Sequence, residues 1–162
     1  MMAPVDNPLA DEANFALLRT GFMVTVASRD AAHVPSVTRA LGCRVAPDRR
    51  RVTVFLLASQ SATLLRDLRT TGAIAAVFSQ PSTHRTIQLK GSDATPGAVE
   101  PGDIALIEAN AAAALADLAL AGFPETFART FFAYEAPDVV AVGFTPSTAF
   151  FQTPGPQAGR RL

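Results

Sequence analysis

The chain has 162 residues, 49% of them hydrophobic and 17% charged, enough apolar material for one packed core and far from the composition of disordered chains. Fourteen basic and fourteen acidic side chains cancel, so no overall field draws the protein to nucleic acid or to an anionic membrane, and neither is an expected partner. A single cysteine excludes an internal disulfide, no Cys/His cluster has metal-ligand spacing, and no leader or bilayer-length apolar run is visible; one soluble, cytoplasmic domain over 1–162 is expected.

The segment 8–19 reads as a short helix, and GFMVTVAS (21–28) as a strand ending in a turn at Arg29-Asp30. The segments 34–45 and 51–59 flank Pro47-Asp48, which makes them an antiparallel hairpin with Arg49, Arg50 and Arg51 at a solvated tip. Cys43 shares a strand face with Val37, Leu41 and Val45, the setting of a buried, inert thiol. The period then changes: Leu64, Leu65 and Leu68 mark one face of a helix over 61–71, with Ser59 or Ser61 as its cap and Gly72 as its stop.

Two strands follow, 73–79 and 83–91. In the second, His84, Thr86, Gln88 and Lys90 fall on one side and Ile87 and Leu89 on the other, and Lys90 is the one lysine of the chain. A strand with one apolar face and a ladder of donors and acceptors on the other suits the inner wall of a small barrel holding a flat, polar-edged ligand. A turn-rich connector leads to a long helix over 103–121, whose buried stripe is Ile104, Ile107, Ala111, Leu115 and Leu118. Gly122 ends it, and Pro124 opens a shorter helix carrying Phe127 and Phe131 one turn apart, with Phe123, Phe132 and Tyr134 nearby. This aromatic cluster reads as core or as a dimer seam. A strand over 139–146 and a Pro/Gly-rich tail, FQTPGPQAGRRL, close the chain. Six strands at short spacing with helices inserted among them point to a mainly β, antiparallel barrel rather than to βαβ units.

Three elements carry candidate chemistry. Arg39 sits among apolar neighbours and needs an anion beside it: Asp67, Glu108 or another internal acid on one reading, a phosphate on the other. Ser59-Gln60-Ser61 opens the 61–71 helix, where unpaired N–H groups and hydroxyls suit a phosphate or serve only as caps. With the polar face of the strand from 84 to 90, they form a constellation fit for a phosphorylated heterocycle. His84 is the one titrating group beside the proposed ring.

In the order and spacing of HVPSVTRALGCRV, VFLLASQSATLLRDLRTTGAIAAVFSQP and THRTIQLKG, from about His33 to Gly91, the chain resembles the pyridoxamine 5'-phosphate oxidase-like family of FMN-binding split barrels. The resemblance implies a six-stranded antiparallel split barrel that forms a homodimer with FMN in grooves at the subunit interface. It implies that Arg39 contacts the phosphate or ring edge and that the Ser59, Gln60, Ser61 turn holds the phosphate. Arg85, Thr86 and Gln88, with His84 before them, would serve the ribityl chain and ring edge, although a regular strand turns Arg85 away from Thr86 and Gln88. The chain departs from the true oxidases at Ala62 and Thr63, where basic residues commonly follow the serine, at Thr86 and Gln88, where glutamine and arginine are usual, and in lacking the tryptophan-containing substrate signature near the C-terminus. Oxidation of pyridoxamine phosphate is therefore not the expected activity. The family implies an oxidoreductase whose flavin reacts with a small-molecule substrate or an electron donor such as NAD(P)H. The alternatives are a non-catalytic flavin- or haem-binding regulatory protein and a deazaflavin-dependent reductase.

Overall fold

Strand-forming runs broken by glycine, proline and short polar turns settle into two antiparallel sheets in the computed structural model, which describes residues 7–19 and 21–162. Residues 1–6, the start of the segment read as carrying no leader, and Thr20 lie outside the described residues. The helices are α1 (Glu12–Leu17), α2 (Ala62–Thr71), α3 (Asp103–Leu120) and α4 (Glu125–Phe131). The strands are β1 (Met23–Arg29), β2 (Pro35–Ala40), β3 (Gly42–Val45), β4 (Val52–Leu57), β5 (Ile74–Ser79), β6 (Thr86–Gly91), β7 (Thr95–Gly97), β8 (Val139–Phe144) and β9 (Thr148–Phe151). One sheet runs β2-β1-β5-β6-β9 and the other β3-β4-β8-β7.

The mainly β, antiparallel architecture is as expected, but the six expected strands are nine among the described residues, in two open sheets without closure into one barrel. The three additional strands have separate causes. The run 34–45 breaks at Leu41, whose side chain packs with Phe55 and Ile107, so that β2 pairs in one sheet and β3 in the other. The connector supplies β7 and the tail supplies β9, both too short and too poor in alternation to stand out locally. The expected hairpins 34–45/51–59 and 73–79/83–91 are present as β3–β4 and β5–β6.

The main core lies between the sheets. Val24 and Val26 of β1, Ile74, Ala76 and Phe78 of β5, and Ile87 and Leu89 of β6 meet Val52, Val54 and Leu56 of β4 and Val142 and Phe144 of β8. Leu64, Leu65 and Leu68 of α2 join them. Each such aliphatic side chain, fully buried, contributes about 1.5–3 kcal/mol. Gly72 ends α2 in the left-handed region at φ 65°, its N–H donating to the Leu68 carbonyl at 2.8 Å. A Cβ there would lie 2.5 Å from the Ser92 carbonyl oxygen, so glycine is required twice over.

All six residues of β4 are buried because α3 covers its second face, where Phe55 and Leu57 pack with Leu41, Ile107, Val139 and Ala141. Polar side chains fix α3 in place. The Asn110 amide donates to the carbonyls of Phe22 (3.2 Å) and Leu41 (2.9 Å) and accepts from the Phe22 N–H (3.2 Å). The buried Asp103 pairs with Arg44 at 2.9 Å. At the other end, the buried Asp117 accepts from Gln80 Nε2 (3.2 Å) and from the N–H (2.9 Å) and Oγ (2.5 Å) of Ser82, tying α3 to the β5–β6 turn. From there α4 doubles back, packing Ala128 and Phe132 on Ala114 and Leu118 and reaching Met23 at the start of β1. Among the described residues, no helix is long and apolar enough to cross a membrane.

Candidate functional site

The polar ladder of β6 faces outward. Ile87 and Leu89 are buried in the core, Thr86 and Gln88 are half-buried on the opposite face, and Lys90 is exposed. The inner wall expected for this ladder is ruled out by packing, because Phe78, Leu56 and Phe144 already fill the space between the sheets. The polar side chains of β6 therefore lie on the outer face of the five-stranded sheet.

Strand register lays out that face in two rows. Arg39, Thr25, Val77, Gln88 and Phe150 stand side by side across β2, β1, β5, β6 and β9, and Val37, Ala27, Ala75, Lys90 and Thr148 form the next row. The rows are about 7 Å apart, and neighbours within one are about 4.8 Å apart. Thr25 and Val37 are exposed, and Ala27, Ala75 and Val77 are half-buried by their flanking side chains. A flat strip of valine and alanine edged by threonine hydroxyls and a glutamine amide can take the plane of an aromatic ring and bond its polar edge.

His84 and Arg85 are not part of the ladder. His84 sits at φ 59° in the β5–β6 turn, its N–H donating to the Gln80 carbonyl at 2.8 Å, and both side chains are exposed at the rim of the face. Thr86 Oγ1 donates to the His84 carbonyl at 3.0 Å and lies 3.0 Å from Ser79 Oγ across the strand pair.

Arg39 and the serine turn are held apart. Gln88 and Arg39 occupy one row, but three strand spacings, about 14 Å, separate their backbones. The Arg39 guanidinium meets neither Asp67 nor Glu108: its Nη1 donates to the Phe131 carbonyl and its Cζ lies 4.8 Å from the Phe131 ring centroid, while Nε is buried without a partner. The reason is tertiary, since α4 folds over that corner of the sheet. Asp67 instead accepts from Ser36 Oγ at 2.7 Å and pairs with Arg66 at 3.2 Å. Ser59 donates from its N–H (2.9 Å) and Oγ (2.5 Å) to the Asp138 carboxylate. Gln60 is exposed, and Ser61 is buried with its Oγ 3.3 Å from Thr38 Oγ1 rather than capping α2. Thr38 and Arg39 alternate on β2, so Arg39 and the serine turn lie on opposite faces of that edge strand.

An FMN ring suits the outer strip, whereas its phosphate meets prior occupants at the positions read from sequence. At Arg39 it would displace the Phe131 carbonyl, and at Ser59 it would displace a carboxylate of its own sign. The sequence reading missed Thr25, Val77 and Arg29 as parts of this face, because strand order decides which side chains stand beside Gln88. It also missed Asp138, which reaches Ser59 across 79 positions.

Other clefts lie away from this face. One of about 480 Å³ between α1, β3 and α3 is lined by Phe15, Leu18, Cys43, Leu106 and Asn110. Cys43 is half-buried on the wall of this cleft rather than fully buried, and desolvation still pushes its thiol up to about 12, with Sγ donating to the Leu18 carbonyl at 3.6 Å. A groove of about 470 Å³ between α3 and α4 contains Tyr134, whose hydroxyl is raised by burial and secondarily by the Glu108 carboxylate. Among the described residues, no group of three or more His, Cys, Asp or Glu is placed to hold a metal ion.

No protein-family model matches the sequence, and none of the curated proteins compared with it matches. Solved structures do match the fold. The HupZ protein of Group A Streptococcus superposes with a TM-score of 0.53 at 14% identity, over 89% of this chain and 94% of that one. A Lactobacillus delbrueckii protein named after pyridoxamine 5'-phosphate oxidase gives 0.51 at 14% identity, over 86% of this chain and 92% of that one. The chain thus has the fold of the pyridoxamine 5'-phosphate oxidase-like proteins, in agreement with the resemblance read from 33–91.

Proposed function

We propose that the chain is a flavin-binding protein of the oxidoreductase type, working as a homodimer, with FMN lying across the outer face of the five-stranded sheet where a second copy closes over it. The observation that supports this reading is the strip Val37, Ala27, Ala75 and Val77, edged by Thr25, Thr86 and Gln88. Val37 is 67% exposed, and an exposed valine beside a flat alanine floor is surface that a ring and a second subunit would both bury.

When bound, the flavin would supply the hydride or electron transfer. Val77 and Ala75 would pack on the ring plane, the Gln88 amide and Thr86 hydroxyl would bond the ring edge, and the apolar strip would keep water from the covered side. His84 and Arg85, at the rim, would meet the approaching small-molecule substrate or nicotinamide donor. The internal partners of Arg39 and Ser59 favour a second reading, a non-catalytic flavin- or haem-binding protein using the same strip.

The absorption spectrum of the purified protein, FMN titration and anaerobic addition of NADH or NADPH test the proposal. Flavin bands that bleach with the nicotinamide support the oxidoreductase. Bound flavin that resists reduction selects the non-catalytic reading, and a protein that ignores FMN overturns both flavin readings.

A further inference from the structure

Resting on the flavin reading, we infer that Arg29 and Lys90 form the anion subsite of this face, where the phosphate monoester of a flavin-type ligand docks instead of at Arg39 or the Ser59–Ser61 turn. β1 and β6 flank β5, with Lys90 opposite Ala75 and Arg29 one row further along β1 than Ala27, so the two cations stand on either side of β5, offset along it and about 12 Å apart at the backbone. Between them lies a groove of about 290 Å³ lined by Ala27, Arg29, Ala73, Ala75, Lys90 and Gly91. Its floor is methyl groups and backbone, which leaves depth, and its walls are the stems of the two long cationic side chains.

The charges around the groove favour an anion there. Neither Arg29 nor Lys90 makes an ion pair among the described residues. Arg29 Nη1 donates to the Asp30 carbonyl at 3.2 Å, and Lys90 Nζ lies 5.1 Å from the Phe150 ring centroid. The carboxylates nearest in sequence are engaged: Asp30 accepts from the N–H groups of Ala32 (2.8 Å) and Val34 (2.9 Å). Asp93 accepts from the Thr145 N–H at 2.8 Å and lies 3.8 Å from Arg51. A dianionic phosphate between a guanidinium and an ammonium gains charge-assisted bonds at both, without displacing any protein anion. The spacing agrees, because Lys90 follows Gln88 by two residues on the same face, about 7 Å away, so a ring beside Gln88 sends its tail toward this groove.

The test compares FMN with riboflavin, which lacks the phosphate, by flavin-fluorescence titration of the wild type and of Arg29→Gln, Lys90→Gln and the double variant. The wild type should prefer FMN by about tenfold or more, the double variant should lose that preference while binding riboflavin as before, and added salt should shrink the preference. Equal FMN preference in wild type and double variant overturns the subsite while leaving the flavin reading intact. If neither flavin binds, the flavin reading fails, and the subsite is then read from the one lysine of the chain. Inorganic phosphate or pyrophosphate should slow acetylation of Lys90, followed by mass spectrometry, in the wild type and not in Arg29→Gln; acetylation indifferent to both anions overturns the subsite.

Discussion

The two ends of the five-stranded sheet's outer face carry the same kind of residue and treat it oppositely. At one end Arg39 is covered by α4, stacked on Phe131 and bonded to its carbonyl. At the other, Arg29 and Lys90 border a groove lined by residues of β1, β5 and β6 with Ala73, and no acid is paired with them among the described residues. A half-buried arginine and two available cations differ here only in what the rest of the chain folds onto them. An arginine on an apolar strand face is thus a structural post where a helix end can supply a carbonyl, and a ligand contact where none can.

Substitutions on the two ends sharpen this contrast. The largest effect calibrates the faces: Leu89→Ala should cost about 2–5 kcal/mol in urea denaturation and the neighbouring Lys90→Ala less than about 0.5. Comparable losses would mean that β6 is oriented otherwise. Next, Asp117→Ala leaves the half-buried Ser82 N–H without its acceptor and frees the end of α3; a loss of about 1–3 kcal/mol is expected, with faster hydrogen exchange in α4. Arg39→Ala should cost about 1–2 kcal/mol by the same measurement and leave FMN affinity unchanged, whereas a fall in affinity without a loss of stability would return Arg39 to the ligand. At the open end, Gln88→Ala should weaken FMN binding by about 0.5–1.5 kcal/mol in a fluorescence titration and leave the melting temperature where it was.

The smallest effect at neutral pH comes from Cys43, away from both ends. Its thiol is held neutral by burial, so the unfolded chain ionises first and stability should fall as pH rises from about 9.0 toward about 12, with no contribution below that window. Cys43→Ala should flatten the alkaline limb of the stability profile, and iodoacetamide should label the native wild type only after unfolding.

Much of the fold was legible because it is local. The leucine spacing and Gly72 bounded α2 and the Pro47-Asp48 turn joined β3 to β4, whereas of the stripe expected on α3 only Ile107 and Leu118 are buried, with Ile104, Ala111 and Leu115 half-buried beside the buried Asp103, Ala114 and Asp117. The strand count fell short because β7 and β9 are held by pairing with β8 and β6 rather than by their own residues. Alternation along β6 correctly separated Ile87 and Leu89 from Thr86, Gln88 and Lys90, but nothing in a period of two says which face is inside. His84 left the ladder because a left-handed turn residue interrupts the alternation that a sequence pattern extends through it. The partners of Arg39 and Ser59 lie 92 and 79 positions away, and a separation of that size is set by tertiary packing.

The most direct test of the account is a crystal structure of the chain with FMN. The account predicts the ring over Val77 beside Gln88, the phosphate between Arg29 and Lys90, Asp138 still on Ser59, and a second copy closing the strip. A phosphate seated at Ser59 and Ser61 with Asp138 displaced, or FMN bound away from this sheet, would contradict it.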